Sequence, residues 1–126
     1  MATWDDVRRI MLSLPETVER DPGYWRVRDK LLAWERPLRR GELTALGDAA
    51  PTGPILAVRV PDLGVKEALL ATDPAVYFAT QHFAAYPAVL VLLERIDVPE
   101  LTELITEAWL ARAPKRLAAA YLADNP

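Results

Sequence analysis

Two short runs of basic side chains carry the clearest chemistry in this chain. Arg26, Arg28 and Lys30 fall within one five-residue stretch, and Arg112, Lys115 and Arg116 within another. A cation without a matching acid can take a phosphate oxygen, and arginine does so with a planar fork of donors. Arg112 falls in the last turn of an expected helix, where the helix dipole favours positive charge. Lys115 and Arg116 open the next helix, where a cation is mildly unfavourable and free backbone amides can also take a phosphate. The charge is segregated along the chain. From residue 20 to 40 seven basic residues face three acids, a net +4, whereas from 94 to 107 five acids face Arg95 alone, a net −4.

Other chemistries find fewer residues to work with. His82 is the sole histidine, with Gln81 and Tyr86 as its nearest polar neighbours, so a clustered His/Cys metal site is not expected. A ligand pocket beside His82, Tyr86 and Trp109 is the alternative binding site, because aromatic surface there surrounds one titratable group. The chain has no cysteine, and Ser13 lies on no glycine-rich elbow. Its five glycines form no phosphate-cradling loop. The expectation is a protein that is not an enzyme and needs no cofactor. Asp5, Asp6, Glu16 and Glu19 suggest an acidic ridge for iron, a minor reading, since Arg8 and Arg9 interrupt it.

A chain of 126 residues with 52% hydrophobic and 26% charged residues is expected to form one domain, residues 1–126, with a core of its own. Asp5, Asp6, Arg8 and Arg9 occupy the place where a secretory leader needs apolar residues, and no apolar run reaches the roughly 20 residues of a membrane helix. A cytoplasmic protein that does not enter membranes is expected. The net charge of −3 and a pI near 5.2 weigh against a dedicated nucleic-acid binder, which more often has a pI above about 9. Any affinity for duplex DNA is therefore expected to be weak and local.

The elements that must position these groups follow from periodicity. Thr3 reads as an N-cap with Asp6 as its partner, Trp4, Val7, Met11 and Leu14 recur at helical spacing, and Pro15 ends the helix. Residues 16–23 are polar and read as a loop. Residues 24–35 read as a hairpin around Asp29-Lys30, with Val27 opposite Leu32 and Trp25 opposite Trp34, all four on one face. Arg26 and Arg28 then fall on the other face. A short helix over 40–46 is closed by Gly47, and a strand follows over 55–60. A helix over 63–70 turns Val65, Ala68 and Leu69 inward, and a short strand covers 76–79. The apolar run 88–93 reads as a strand buried on both faces. Asp97 with Glu100 caps a helix whose core stripe is Leu101, Leu104, Ile105, Ala108 and Trp109. Pro114 starts a last helix over 115–122. The class is α+β, a mainly antiparallel sheet with helices on one side.

Five segments give the chain a family resemblance over about residues 3–123. They are Thr3-Trp4-Asp5-Asp6-Val7, Trp25-Arg26-Val27-Arg28-Asp29-Lys30-Leu31, Ala68-Leu69-Leu70-Ala71-Thr72-Asp73-Pro74, His82-Phe83 with Tyr86-Pro87-Ala88-Val89-Leu90-Val91, and Ala108 to Leu117. On these segments the sequence resembles the MmcQ/YjbR family. The resemblance implies a frataxin/CyaY-like sandwich and DNA binding through a "double wing" likeness. It places the wing hairpin at residues 24–35, offering Arg26, Arg28 and Lys30. Asp29 stands where glycine is common at the hairpin tip, and Ala84-Ala85 replaces the usual acid-glycine pair. The leading expectation is weak duplex DNA binding through both basic runs; the alternative is a small-molecule or protein interaction module at His82, Tyr86 and Trp109.

Overall fold

The computed structural model describes residues 1–125, apart from the side chain of His82. Helix α1 (Trp4–Ser13) starts as its sequence predicts. The Thr3 hydroxyl accepts from the Asp6 amide at 3.2 Å, and the Asp6 carboxylate accepts from the Thr3 amide at 2.9 Å. Each bond satisfies a donor that the first helical turn leaves orphaned. Val7, Ile10 and Met11 form its buried stripe.

Six strands make up a single sheet: β1 (Thr17–Arg20), β2 (Tyr24–Val27), β3 (Lys30–Glu35), β4 (Ile55–Arg59), β5 (Tyr77–Phe78) and β6 (Ala88–Leu92). Their spatial order is β1-β2-β3-β4-β6-β5, and each neighbouring pair is antiparallel. Helix α2 (Arg40–Leu46) links β3 to β4, and α3 (Leu63–Thr72) links β4 to β5. Helix α4 (Val98–Arg112) comes after β6, and α5 (Lys115–Asp124) closes the chain. The α+β class and the mainly antiparallel sheet are as the sequence implies.

Three local expectations are corrected. The polar stretch after Pro15 is not all loop, because residues 17–20 pair with β2 as an edge strand. Only Thr17 of β1 is buried, so the strand lacks the apolar alternation by which strands are recognised. The hairpin turn is Arg28-Asp29 rather than Asp29-Lys30. Val27 pairs with Lys30 and Arg26 with Leu31, and an irregularity then shifts the register so that Trp25 pairs with Ala33 and Tyr24 with Trp34. Side chains alternate with a period of two, so one extra residue moves the remainder of the strand to the other face. Trp25, Val27 and Leu32 share the main core while Trp34 joins a second cluster. Helix α3 turns Lys66, not Val65 or Ala68, into the interior, with Leu69 and Leu70 half-buried behind it.

The main core lies between the sheet and helices α1 and α4, where Val7, Met11, Leu101, Ile105, Ala108 and Trp109 meet Trp25, Leu32, Leu56, Val58, Val89 and Val91. The opposite face is not bare. Trp34, Ile55, Ala57, Ala88 and Leu90 are covered there by Phe83, with Leu38, Phe78 and Ala79 half-buried around them. Strand β6 is therefore packed on both faces, as its unbroken apolar run predicts. The Asp97 side chain caps α4 by accepting from the Glu100 amide at 2.8 Å. Glu100 does not return the bond; its carboxylate accepts from the Tyr77 hydroxyl at 2.8 Å, tying α4 to edge strand β5.

Candidate functional site

Strand register brings the basic residues to one end of the sheet. The β2–β3 turn carries Arg28 and Asp29, and Lys30 begins β3. Strand β4 runs antiparallel to β3 with Ala33 opposite Val58, so Arg59 leaves the sheet at that same end. Arg59 pairs with Ala88, which puts Tyr86 and Pro87 there too. Strand β6 then crosses the sheet, and α4, about 22 Å long at 1.5 Å per residue, spans the return. The Trp109 indole N–H donates to the Pro15 carbonyl at 3.1 Å, anchoring the last turn of α4 beside the start of β1. Arg112, Lys115 and Arg116 come directly after that anchor. The far end collects Asp21, Glu35, Glu94 and Asp97, with Arg20, Arg36 and Arg95 among them.

The cations at the basic end are not equivalent. Arg28 and Glu16 both occupy left-handed backbone, φ 54° and 56°, and are joined twice. The Arg28 amide donates to the Glu16 carbonyl at 3.2 Å, and its guanidinium binds the Glu16 carboxylate at 2.8 and 3.3 Å. That partner raises the Arg28 pKa and neutralises its charge. Arg26 donates to the Asp29 carbonyl at 3.3 Å, a contact that leaves its charge unmatched. Lys30, Lys115 and Arg116 are exposed and belong to no ion pair among the described residues.

Arg59 and Arg112 form a different kind of group. Arg59 lies over the Tyr86 ring at 5.0 Å, donates from Nη1 to the Tyr86 hydroxyl at 3.1 Å, and from Nε to the Pro87 carbonyl at 3.2 Å. Arg112 is half-buried, and its Nε–H is fully buried with no acceptor among the described residues. Burial and the nearby Arg59 charge both lower its pKa, against a smaller opposing effect of Tyr86. A buried donor without a partner costs about 1–3 kcal/mol, more where charge is involved. Sequence reasoning named Arg112 and Tyr86 but missed Arg59, which reads as an ordinary polar residue at a strand end.

The loop that presents Tyr86 is pinned from below. Lys66 is 3% exposed, and its ammonium donates to the Tyr86 carbonyl at 2.8 Å and to the Phe83 carbonyl. No carboxylate among the described residues joins it, and burial lowers its pKa. On the same face, Arg36 and Glu42 form a buried bidentate pair at 2.9 and 3.0 Å. Glu42 also accepts from the Thr80 hydroxyl at 2.7 Å and from the Arg39 amide at 2.9 Å, while Arg36 lies over the Phe83 ring at 5.1 Å. A cleft of about 440 Å³ opens beside this pair, lined by Arg39, Ala45, Leu46, Ala79 and Gln81 among others. Replacing Lys66 by methionine keeps the packed stem and removes both bonds. A loss of about 2 kcal/mol is expected, with a matching fall in the urea midpoint at unchanged slope.

Tyr86 and Trp109, placed beside one pocket by the sequence, differ in exposure. Trp109 is fully buried in the main core against Tyr121, ring centres 5.0 Å apart, and offers no surface to a ligand. Tyr86 is exposed at the sheet end. The side chain of His82 lies outside the described residues. The acidic residues near the N-terminus are committed elsewhere: Asp5 to Arg8, Asp6 to Arg9 and Thr3, Glu16 to Arg28, and Glu19 to Arg8 and the Gly23 amide. Among the described residues no three His, Cys, Asp or Glu side chains stand close enough to hold a metal ion. Nor is any helix among them long and apolar enough to cross a membrane.

The YjbR family model matches residues 12–111, which include the sheet and nearly all of α4. The chain belongs to the YjbR family. Two similar relatives of this YjbR chain are the uncharacterized proteins Rv2570 of Mycobacterium tuberculosis (strain H37Rv) and Mb2600 of Mycobacterium bovis. Each is 59% identical over 128 aligned residues, covering 99% of both chains. Among solved structures, Deinococcus radiodurans protein DR2400, described as a DUF419 domain, superposes with a TM-score of 0.64 at 22% identity. The match covers 87% of this chain and 78% of that one. That likeness carries the fold; what the YjbR domain does has to be argued from its own surface.

Proposed function

We propose that this YjbR protein is a cytoplasmic, non-enzymatic binder of the duplex DNA backbone, acting through the basic end of its sheet. The observation that supports it is the convergence of Arg26, Lys30, Lys115 and Arg116 on one end, none of them ion-paired among the described residues. Arg28 contributes less, because Glu16 already holds it. Phosphate contacts release condensed counterions, so affinity depends on salt rather than on base sequence. Asp29 and Asp62 at the same end keep the affinity low.

Fluorescence anisotropy with a mixed-sequence duplex across a salt series tests this. About four phosphate contacts predict a slope of log K on log salt near −3.6. The double variant Lys115→Glu, Arg116→Glu should make that slope shallower by about 2. Absence of binding at low salt, or a slope untouched by the double variant, would reject the reading.

A further inference from the structure

We propose that the cleft between α2 and residues 79–81 is a binding site for a small monocarboxylate with an apolar body. The cleft measures about 440 Å³, within the range of ligand pockets. Ala45 and Leu46 of α2 and Ala79 from the segment after β5 supply its apolar lining. The two walls are stapled to one another. The Glu42 carboxylate on α2 accepts from the Thr80 hydroxyl at 2.7 Å, and from the Arg36 guanidinium at 2.9 and 3.0 Å. A cleft whose walls are already fixed loses little freedom when a ligand enters.

Donors and acceptors in the lining select the charge of the ligand. An ionised carboxylate offers about four lone-pair sites. Glu42 is the sole acid lining the cleft among the described residues, and its sites are filled by Arg36 twice, the Arg39 amide and the Thr80 hydroxyl. A cationic ligand therefore meets no free carboxylate. The Arg39 guanidinium is the opposite case. It is exposed, lines the cleft, and makes no hydrogen bond or ion pair with the described residues. Arg36 and Glu42 cancel, so Arg39 leaves one positive charge to match, and Gln81 adds an uncharged amide donor. An arginine fork binds one carboxylate through two parallel bonds. The apolar body then covers Ala45, Leu46 and Ala79. A dianion would bring a second negative charge beside Glu42 and is disfavoured. The site goes beyond duplex binding and stands independently of it, since none of the groups assigned to the duplex lines this cleft.

Calorimetric titration of the whole chain with two acids, phenylacetate and octanoate, tests the site. Phenylacetamide and phenethylamine, which share one apolar body with phenylacetate and differ in charge, serve as comparisons. Saturable one-to-one binding is expected for at least one acid. The amide should bind about tenfold more weakly than phenylacetate, and the amine not at all. Arg39→Gln keeps the backbone amide that Glu42 uses and should weaken the acid about tenfold. Arg39→Lys keeps the charge without the fork and should fall in between. Ala45→Leu, at an exposed position of α2, fills the cleft and should weaken binding several-fold without lowering the urea midpoint. No saturable binding of either acid, equal affinity for the amine, or parent affinity in Arg39→Gln or in Ala45→Leu overturns the site. Duplex binding without carboxylate binding defeats this site alone, whereas carboxylate binding without duplex binding defeats the nucleic-acid reading alone.

Discussion

Glu42→Gln is expected to destabilise the fold by about 3–5 kcal/mol, because it leaves the Arg36 guanidinium buried without its counter-charge. The two side chains are 6% and 11% exposed and bind through two oxygens, so neither can turn to water without opening the face around Phe83. Burial alone would raise the Glu42 pKa. The Arg39 amide, the Arg36 guanidinium and the Thr80 hydroxyl outweigh it and hold the carboxyl at about 2, against an ordinary 4.5. A depressed folded-state pKa means that the unfolded chain takes up the proton first. The stabilisation is thus complete above about pH 4.5 and is lost as pH falls towards about 2, a change of about 3 kcal/mol. Chemical denaturation at neutral pH and through that acid window measures both effects. In Glu42→Gln the acid-sensitive part should vanish along with the stability. A variant as stable as the parent, or one that keeps its full acid sensitivity, would contradict this role. Replacing both partners by apolar residues of similar volume should restore much of the loss, since the cost lies in stranding one charge rather than in lacking the pair.

Trp109→Ala is expected to cost a similar 3–5 kcal/mol, the range for deleting a large buried aromatic. Its ring is fully buried between α4 and the sheet, lies 5.0 Å from Tyr121, and is tied by its N–H to the Pro15 carbonyl. Against a typical stability of about 5–15 kcal/mol, that loss leaves a marginal fold. Trp109→Phe should be milder, retaining most of the apolar contact and losing one hydrogen bond of about 1 kcal/mol. Equilibrium unfolding of both variants separates the two contributions. If Trp109→Ala changes ligand affinity while leaving stability intact, the residue is a binding residue and not a core one.

Much of the architecture was legible because its signals are local. A cap needs a short oxygen-bearing side chain three residues from a free amide, so Thr3 with Asp6 and Asp97 with the Glu100 amide could be read from spacing alone. A strand buried on both faces announces itself as an unbroken apolar run, as in β6. Edge strand β1 carries no such signal, because its outward residues need only be tolerated by water. The hairpin bulge was equally silent. It moves Trp34 to the second cluster, yet no residue type between 28 and 35 encodes an extra position. Lys66 was illegible for another reason. A lysine on a short helix reads as solvated surface unless one knows that the carbonyls of Phe83 and Tyr86, about twenty residues on, wait beneath it.

The same division runs through the candidate sites. By itself the sequence determined the family, the α+β class, and the presence of two basic runs, since each depends on neighbours a few positions away. Only the tertiary structure decided that strand order and the return of α4 place both runs at one end of the sheet. It alone committed Arg28 to Glu16, sent Trp109 into the core, and laid Arg59 over the Tyr86 ring. The reason is physical: whether a charge is free depends on which other charges and dipoles lie within a few ångströms, and that distance is created by folding rather than written in spacing.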